Sequence, residues 1–418
     1  MSFLLATPSI LQKISADDSD ERRCMISLDE ARQIILESLL VLHAESSSLN
    51  RVLGRVLRET ITAPEDFPAF DRSAMDGYAI AMEDRSERFQ VIGEVQAGQV
   101  PDVAIGRGQC VRIFTGGQIP NGASQVLMQE DVRRDEDWMI PQRRSSERYI
   151  RRRGEDMQRG AVLLEPGARL GPGECALLAQ IGVTLPKVSA KPRVIHIATG
   201  GELVPPSQEP GPGQIRDSNS TLISGLLAQC GALLVKQDRC GDDLQTLVER
   251  VRREPTDSWD LLLISGGASV GDYDFGKRAL AELGFEIRFQ QINLRPGKPL
   301  VFAVRDRQAA FVIPGNPVSH FVVFHLAIRM ALERLEGARL DWSPVTLPIA
   351  TAIEESNGPR ETYWPARLVN DNGRLAVLPI AWQSSGDLRG LTGVEGLIRI
   401  APKREKIAVG ETVEFLKI

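Results

Sequence analysis

The stretch Leu261–Asp274, LLLISGGASVGDYD, is the segment from which the fold of this chain can be inferred. Its first four residues are all apolar, which is typical of a strand covered on both faces, as in a parallel sheet. Ser265–Gly267 follows, where glycine permits a sharp turn and a close backbone approach to a ligand. Asp272 and Asp274 lie a few residues further on. Because open α/β sheets bind ligands beyond the carboxyl ends of their strands, this loop is the first candidate for an active site.

The neighbouring segments repeat the same strand–glycine–helix pattern. The apolar run Arg193–Ala198 leads into Thr-Gly-Gly, ALLVKQ is a second strand, and AAFVI leads into Pro-Gly-Asn-Pro with Pro317 in the first turn of a helix. Asp217, Ser218 and Asn219 are residue types that cap helices. These units predict a doubly wound α/β domain whose helix N-termini are available to bind anions.

The rest of the chain predicts a multidomain protein of the α/β plus β class. A capping-box signature at Ser27 and Glu30 begins a helix with one apolar face, whereas alternating short strands between turn residues indicate two β-rich regions. The expected parts are a mobile tail at 1–25, a linking α/β subdomain at 26–58 and 157–189, an inserted β-rich domain at 59–156, the doubly wound α/β domain at 190–338, and a small C-terminal β domain at 339–418.

Composition excludes several classes of function. Lys and Arg total 50 against 55 for Asp and Glu, a formal charge of -5, and aromatic residues make up only 5%, so nucleic-acid binding is not expected. The five cysteines form no C-x-x-C pair and are typical of reduced thiols. No segment resembles a membrane span or a secretory signal, so we expect a cytoplasmic protein without a membrane partner.

Two motifs suggest other chemistries, but neither has the residues that the chemistry requires. Gly267–Gly271 matches the G-x-S-x-G nucleophile elbow of hydrolases, but two glycines separate Ser269 from the strand, and the downstream histidines, His320 and His325, lie on an apolar helix. Gly271–Lys277 imitates a P-loop without the Ser or Thr that must bind magnesium. No G-x-G-x-x-G begins a helix and no zinc-ligand spacing occurs, so any metal would be a hard ion such as Mg²⁺ held by carboxylates.

Two polar clusters in the β-rich region are ambiguous on their residues alone. Asp71, Ser73 and Asp76 crowd a loop that does not fit a calcium-binding pattern, so local turn caps are the favoured interpretation. The arginines of ERYIRRRGEDM (147–157) could hold a phosphate or oxyanion. A solvated charged turn between domains is the favoured alternative.

Taken in order, the motifs of this chain resemble those of the MoeA family, the molybdopterin molybdenumtransferases, which include the gephyrin E-domain and its plant counterpart. The resemblance runs from about Ser27 to the C-terminus and is specific only in combination. The motifs are FDRSAMDGYA, RIFTGG, RRRGED, ATGGEL, the Asp-Ser-Asn helix cap, SGGASVGDYD, RPGKP, PGNPVS and SSGDLRGL.

The resemblance implies a four-part homodimer whose α/β domain is the MogA-like, molybdopterin-binding one. The implied activity is the Mg²⁺-dependent insertion of molybdate into adenylylated molybdopterin, with release of AMP. A MogA-like adenylyltransferase and molybdoenzyme-maturation proteins are the expected partners. A non-catalytic molybdopterin carrier or scaffold on the same fold is the first alternative, and adenylylation of molybdopterin by the α/β domain is the second.

The resemblance also assigns roles to individual residues. The catalytic residues would be Asp71, Thr115, Asp156, Glu202 and Lys298, and Asp242 and Asp274 would hold Mg²⁺. Asp71, Thr115 and Asp156 belong to the β-rich part, so they would complete the cleft of a partner copy. The substrate-binding residues would be Gly200, Asp217, Ser218, Asn219, Ser265, Gly266, Gly267, Ser269, Arg295, Pro314, Gly315, Asn316, Pro317, Arg360 and Ser385.

Five residues at four sites depart from the family's usual residues. Gly201 replaces an acid, Arg295 replaces a lysine, Gln291 stands where some members have another lysine, and Arg389-Gly390 stands where a serine pair is common. Arginine keeps the positive charge of lysine but not its shape, so the geometry of anion binding is expected to differ.

Overall fold

The computed structural model describes residues 25–267, 275–354 and 358–418. Apart from Met25, the predicted tail lies outside these residues. Three six-stranded sheets account for the main bodies of the described chain. The strand that begins with Leu261 lies inside one of them, as the sequence predicts.

The sheet of the α/β domain has four parallel strands and two further strands that pair antiparallel at one end. In spatial order the strands are Leu233–Cys240, Arg193–Thr199, Leu261–Ser265, Gln308–Ile313, Val301–Arg305 and Glu286–Phe289. All five residues of Leu261–Ser265 are buried. The parallel pairing places the carboxyl ends of four strands at one edge of the sheet.

Both faces of this sheet are covered, which explains the uninterrupted apolar run. Leu261 and Leu263 belong to one hydrophobic cluster, whereas Leu262 and Ile264 belong to another, because successive side chains of a strand point to opposite faces. Helices lie against both clusters. Their bounds are Asn219–Gln229, Leu244–Arg252, Phe275–Glu282, Pro317–Val323, the π-helical Phe324–Ile328 and Arg329–Glu336.

The first helix, Leu28–Ser38, has the predicted capping box, in which Ser27 and Glu30 exchange hydrogen bonds. Its buried face, which includes Ala31 and Ile35, packs in the same cluster as the central sheet. The expected subdomain at 26–58 and 157–189 therefore does not share one core. The apolar period of a helix identifies a buried face but not the element that covers it.

The linking region has its own small cluster, which includes Leu57, Leu178 and Val188. Its helix begins at Pro172, and Gly171 is the N-cap residue. The elements are Ala44–Ser46, the 3₁₀ turn Leu49–Arg51, Ile61–Thr62, Val162–Leu164, the helix Pro172–Gln180 and Lys187–Ser189.

The inserted region consists of strands, as its alternating pattern predicts. Six of them form one sheet in the order Gln125–Met128, Gly77–Ile80, Gln109–Ile113, Phe89–Val95, Trp138–Pro141 and Val132–Asp135. A 3₁₀ turn covers Gln129–Asp131, and Arg72–Ser73 pairs with Ile150–Arg151, which brings the FDRSAMD and RRRGED motifs together.

The C-terminal region is also a β-sheet. Its elements are Val345–Pro348, Glu361–Asp371, Arg374–Pro379, the 3₁₀ turn Leu388–Leu391, Gly396–Ile400 and Thr412–Lys417. The short strand Leu294–Arg295, expected within the α/β domain, pairs instead with Glu361–Asp371. The fold class is confirmed as multidomain α/β with β-rich parts. Within the described ranges, no helix has both the length and the apolar composition needed to cross a membrane.

Candidate functional site

A cleft lies at the carboxyl edge of the parallel strands. The chain goes from Arg193–Thr199 to a neighbour on one side, Leu233–Cys240, and then crosses to Leu261–Ser265 on the other side. This reversal is a topological switch point, where doubly wound sheets bind ligands. A cavity of about 620 Å³ opens there. The predicted residues that line it are Gly200, Glu202, Asp217, Ser218, Asn219, Asp242, Ser265, Gly266, Gly267, Pro314, Gly315, Asn316 and Pro317.

The floor of the cleft requires glycine after Ser265. Gly266 and Gly267 have φ values of +91° and +64°, in the left-handed region. A Cβ atom on Gly266 would lie 2.6 Å from the carbonyl oxygen of Thr199. The loop is thereby held against the end of the neighbouring strand, so that its backbone, rather than its side chains, faces the cleft.

The start of the helix Asn219–Gln229 is tied to the loop around Gly315. The Asn219 side chain donates a hydrogen bond of 2.6 Å to the carbonyl oxygen of Gly315. Asp217 is buried and accepts hydrogen bonds from the backbone and hydroxyl of Ser220, at 2.9 Å and 2.6 Å. The carboxylate of Asp217 therefore stabilises the helix start, and its role toward a ligand is indirect.

Two exposed carboxylates, Glu202 and Asp242, line the same cavity. The backbone N–H of Gly201 donates to Oδ2 of Asp242 at 3.3 Å. Gly201, which stands where the family usually has an acid, thus orients Asp242 through its backbone. Asp274, the second predicted metal ligand, and Ser269 lie outside the described residues. Among the described residues, no group of three or more His, Cys, Asp or Glu side chains has metal-binding geometry.

A second cavity, of about 380 Å³, adjoins the first and is lined by three cationic side chains. Arg295, Lys298 and Arg360 come from the α/β and C-terminal parts of the chain. The two cavities share Pro299, Pro314 and Asn316 in their linings. Ser385, another predicted residue, lies in this second wall and accepts a hydrogen bond of 2.8 Å from the Asn316 side chain.

The predicted residues of the β-rich domain do not line either cavity. The Asp71 carboxylate accepts from the Arg153 backbone at 2.8 Å and from the Arg152 guanidinium. Thr115 donates to Asp76 through both its backbone and its hydroxyl at 2.7 Å, and these bonds lower the pKa of Asp76. Asp156 pairs with arginines 72 and 151. The ambiguous arginine cluster therefore serves to hold these acids.

A serine–histidine contact does occur, but not at the serine of the G-x-S-x-G motif. The hydroxyl of Ser265 lies 2.6 Å from Nε2 of His196 and 2.8 Å from Nε2 of His320. Ser265 is only 3% exposed, and desolvation lowers the pKa of His196 to about 4 and that of His320 to about 3. Imidazoles with such low pKa values are weak bases, and a buried hydroxyl cannot reach a substrate. This contact is therefore not a hydrolase dyad, and Ser265 can offer a ligand only its backbone.

Several lining residues have no individual signal in the sequence. In the first cavity these are Leu203, Ile215 and Arg216, which belong to a small parallel strand pair. In the second they are Trp382 and Gln383, whereas Ser319 and Ser384 belong to the PGNPVS and SSGDLRGL motifs. Arg216 directly precedes the Asp-Ser-Asn segment, and Trp382 and Gln383 directly precede the SSGDLRGL motif, so their proximity to those motifs is the signal that could have identified them.

The remaining departures from the family pattern, Arg389-Gly390 and Gln291, lie as follows. Arg389 is paired with Asp387 through two hydrogen bonds of 2.9 Å, and its side chain is 78% exposed. Gly390 is packed against Trp382, whose Cβ would lie 2.7 Å from an added Cβ. The backbone carbonyl of Gln291 accepts from Ile26.

The fold is that of a multidomain α/β protein with one cavity at the switch point of its central sheet and a second, cation-lined cavity beside it. Residues 26–182 match the MoeA N-terminal region (domain I and II), 195–334 a probable molybdopterin binding domain, and 349–418 the MoeA C-terminal region (domain IV). The chain therefore belongs to the MoeA family of molybdopterin molybdenumtransferases, enzymes of molybdenum cofactor biosynthesis.

Individual relatives agree with this assignment. The chain is 30% identical to a molybdopterin molybdenumtransferase of Staphylococcus epidermidis, over 95% of this chain and 97% of the relative. It is 32% identical to that of Bacillus subtilis (strain 168), over 95% of each chain. Among solved structures, the molybdopterin biosynthesis moeA protein from Pyrococcus horikoshii OT3 is similar with a TM-score of 0.79 and 29% identity, over 94% of this chain and all of that one.

Proposed function

We propose that this protein inserts molybdate into adenylylated molybdopterin in a Mg²⁺-dependent reaction that releases AMP. The observation that carries the proposal is the junction of the two cavities at Pro299, Pro314 and Asn316. One cavity has the loop geometry that suits phosphates, and the other has the cations that suit an oxyanion. Both reactants can therefore meet at one edge of the sheet.

The first cavity suits the pyrophosphate-linked substrate. The backbone of Gly266 and Gly267 lines a cleft that no Cβ narrows. The N–H of Gly266 donates to the carbonyl oxygen of Ile313 at 3.0 Å, so we assign the contact with phosphate oxygen to the N–H of Gly267. Asn219 and Asn316 fix the opposite loop through hydrogen bonds to Gly315 and Ser385, so the cleft is held open without the ligand. Preorganised donors of this kind need little rearrangement when phosphate oxygens bind.

The second cavity suits molybdate. Lys298 supplies a compact charge, whereas the guanidinium groups of Arg295 and Arg360 supply forked donors that match tetrahedral oxyanions. Ser385 adds a hydroxyl whose oxygen is already oriented by Asn316. We assign molybdate binding to this pocket and the pterin substrate to the neighbouring cleft.

The acids of the cleft fit Mg²⁺. This ion keeps several waters and binds one or two carboxylates together with substrate phosphates, so a dedicated cage of three or more side chains is not required. Asp242 and Glu202 line the cavity, and Asp274 remains a predicted ligand. When bound, Mg²⁺ would neutralise the charge of the pyrophosphate.

The residues Asp71, Thr115 and Asp156 have a place in this reaction only if a second copy of the chain presents them. They are exposed or half-buried on the β-rich domain and are held in fixed orientations by arginines and by Asp76. We therefore propose a homodimer with shared active sites. A MogA-like adenylyltransferase would supply the substrate, and molybdoenzyme-maturation proteins would receive the product.

The test is AMP release by purified protein supplied with adenylylated molybdopterin, Mg²⁺ and molybdate. Release should require both the metal and the oxyanion. Lys298→Ala should require more molybdate for the same AMP release. Lys236→Ala is a matched control, because Lys236 lies on an edge strand outside both cavities and pairs with Glu254. Pterin binding without AMP release would contradict the transferase proposal and favour the carrier.

The replacement at Gly201 offers a second test of the metal assignment. Gly201 is exposed, and a Cβ there would lie 3.9 Å from Oδ2 of Asp242, an ordinary contact. Gly201→Asp should therefore fold and add a carboxylate beside Asp242, which lowers the Mg²⁺ concentration for half-maximal AMP release. An unchanged Mg²⁺ dependence would place the metal elsewhere.

A further inference from the structure

A polar chain crosses the sheet beneath the cleft. We propose that Gln237, His196, Ser265 and His320 form one directed chain of hydrogen bonds, in which His196 and His320 are positioning residues that hold the Ser265–Gly267 loop in its ligand-binding geometry. The effect on substrate binding rests on the proposed function, whereas the hydrogen-bond chain itself does not.

The direction of the chain is set at Gln237. Its Nε2 atom lies 2.9 Å from the carbonyl oxygen of Ser220, which can only accept a hydrogen bond. This contact identifies Nε2 as the amide nitrogen and orients the side chain. The same nitrogen lies 3.1 Å from Nδ1 of His196, so its second hydrogen is donated to that ring atom.

The tautomer of His196 follows. A neutral imidazole has one protonated and one unprotonated nitrogen. Because Nδ1 of His196 accepts from Gln237, its proton must be on Nε2, and Nε2 then donates to Ser265 Oγ across 2.6 Å. His196 is fully buried, and its low pKa keeps it neutral at physiological pH.

The hydroxyl of Ser265 passes the direction on to His320. Having accepted from His196, it donates its own proton to Nε2 of His320 across 2.8 Å. His320 must then carry its proton on Nδ1. The backbone at Pro314 and Asn316 favours a protonated ring, although Nδ1 itself has no partner at hydrogen-bond distance among the described residues, and His320 too is fully buried.

The chain links the elements that build the cleft. His196 lies in the strand Arg193–Thr199, and Ser265 ends the neighbouring strand Leu261–Ser265. His320 lies in the helix that follows Asn316. The Ser265 hydroxyl therefore makes one hydrogen bond to a strand and one to a helix, on different sides of the cleft. A buried donor or acceptor that loses its partner costs free energy, so the loop has one favoured position.

The first part of the test is spectroscopic and needs no substrate. The chain contains four histidines, and ¹⁵N-labelled protein at pH 7.5 should show His196 protonated on Nε2 and His320 protonated on Nδ1 in long-range ¹H–¹⁵N spectra. Single His→Gln variants assign the signals. The opposite tautomer at either ring would refute the proposed hydrogen-bond chain, whatever the enzyme's activity.

The second part measures positioning through the KM for adenylylated molybdopterin. His320→Leu removes the acceptor and should raise KM about tenfold with little change in kcat, because an unpaired Ser265 hydroxyl weakens the loop. His320→Gln retains an acceptor near the position of Nε2 and should recover most of the loss. His325→Leu is the matched control, since His325 is equally buried in the same helical run but lies outside the chain.

The outcomes separate the two proposals. Equal KM values for His320→Leu and His325→Leu, or no recovery in His320→Gln, would show that His320 has only a packing role and would overturn the positioning proposal. If the wild type releases no AMP, the transferase proposal fails, and the same comparison is made with the dissociation constant for AMP. Melting temperatures identify a variant that does not fold. In that case His196→Leu and His196→Gln replace His320→Leu and His320→Gln.

Discussion

Acidification should destabilise the α/β domain well above the pH at which its carboxylates titrate. His196, His320 and His325 are buried, and desolvation lowers their pKa values to about 4, 3 and 3 from an ordinary 6.5. In the unfolded chain the same groups take up protons below pH 6.5. The unfolded state then binds more protons than the folded state, so stability falls as the pH decreases through this window.

The size of the effect follows from the pKa differences. Moving from pH 7.5 to pH 5.0 costs each histidine about 2 kcal/mol, and the three together about 6 kcal/mol. Natural domains have a net stability of about 5–15 kcal/mol. The α/β domain should therefore be close to unfolding near pH 5, and the loss should continue until the pH reaches the folded pKa values.

Trp259, one of the five tryptophans, contributes a signal from this domain to the fluorescence, because it is 2% exposed in one of the two clusters that cover the sheet. The free energy of unfolding is obtained from urea titrations followed by tryptophan fluorescence at pH 7.5, 6.0 and 5.0. His325→Leu should reduce the difference between pH 7.5 and pH 5.0 by about 2 kcal/mol, because one proton-binding site is removed. Equal stability of the wild type at pH 7.5 and 5.0 would refute the reasoning, since neutral buried histidines require a dependence.

Three further predictions concern the cleft. Gly266→Ala should abolish substrate binding, because its Cβ would lie 2.6 Å from the Thr199 carbonyl oxygen. Gly231→Ala is the control, because Gly231 also has a positive φ but has open space around it. It should lower the free energy of unfolding by only about 1–3 kcal/mol in thermal melts. Lys298→Ala should raise the molybdate concentration for half-maximal AMP release about tenfold or more, as expected for a lost charge-assisted contact; an unchanged value would remove molybdate from this pocket. Asp242→Asn should raise the Mg²⁺ requirement about tenfold without changing the melting temperature, since its side chain is exposed; a lower melting temperature with unchanged Mg²⁺ dependence would show a structural role.

Local patterns predicted the secondary structure near the site well. The apolar run before Ser265, the glycines after it and the capping box at Ser27 each depend on neighbours in sequence, and the structure confirms all three. The order of strands and glycine turns also predicted which edge of the sheet holds the cleft, because parallel strands place their carboxyl ends together.

Long-range packing decided what those patterns could not. The helix Leu28–Ser38 has an obvious apolar face, yet that face is covered by the α/β domain, and Leu294–Arg295 extends a sheet of the C-terminal domain. The two histidines beside Ser265 come from segments 69 and 55 residues away. Periodicity identifies a buried side chain but not its partner.

By itself, the sequence determined the class of fold, the glycine-rich loop at Ser265–Gly267 and the residue types available for phosphate and oxyanion binding. The tertiary structure alone decided that Arg295, Lys298 and Arg360 share one cavity and that the hydroxyl of Ser265 is directed inward between two imidazoles. The reason is physical: backbone conformation follows from local sterics and hydrogen bonding, whereas the meeting of distant side chains follows from how complete sheets and helices pack.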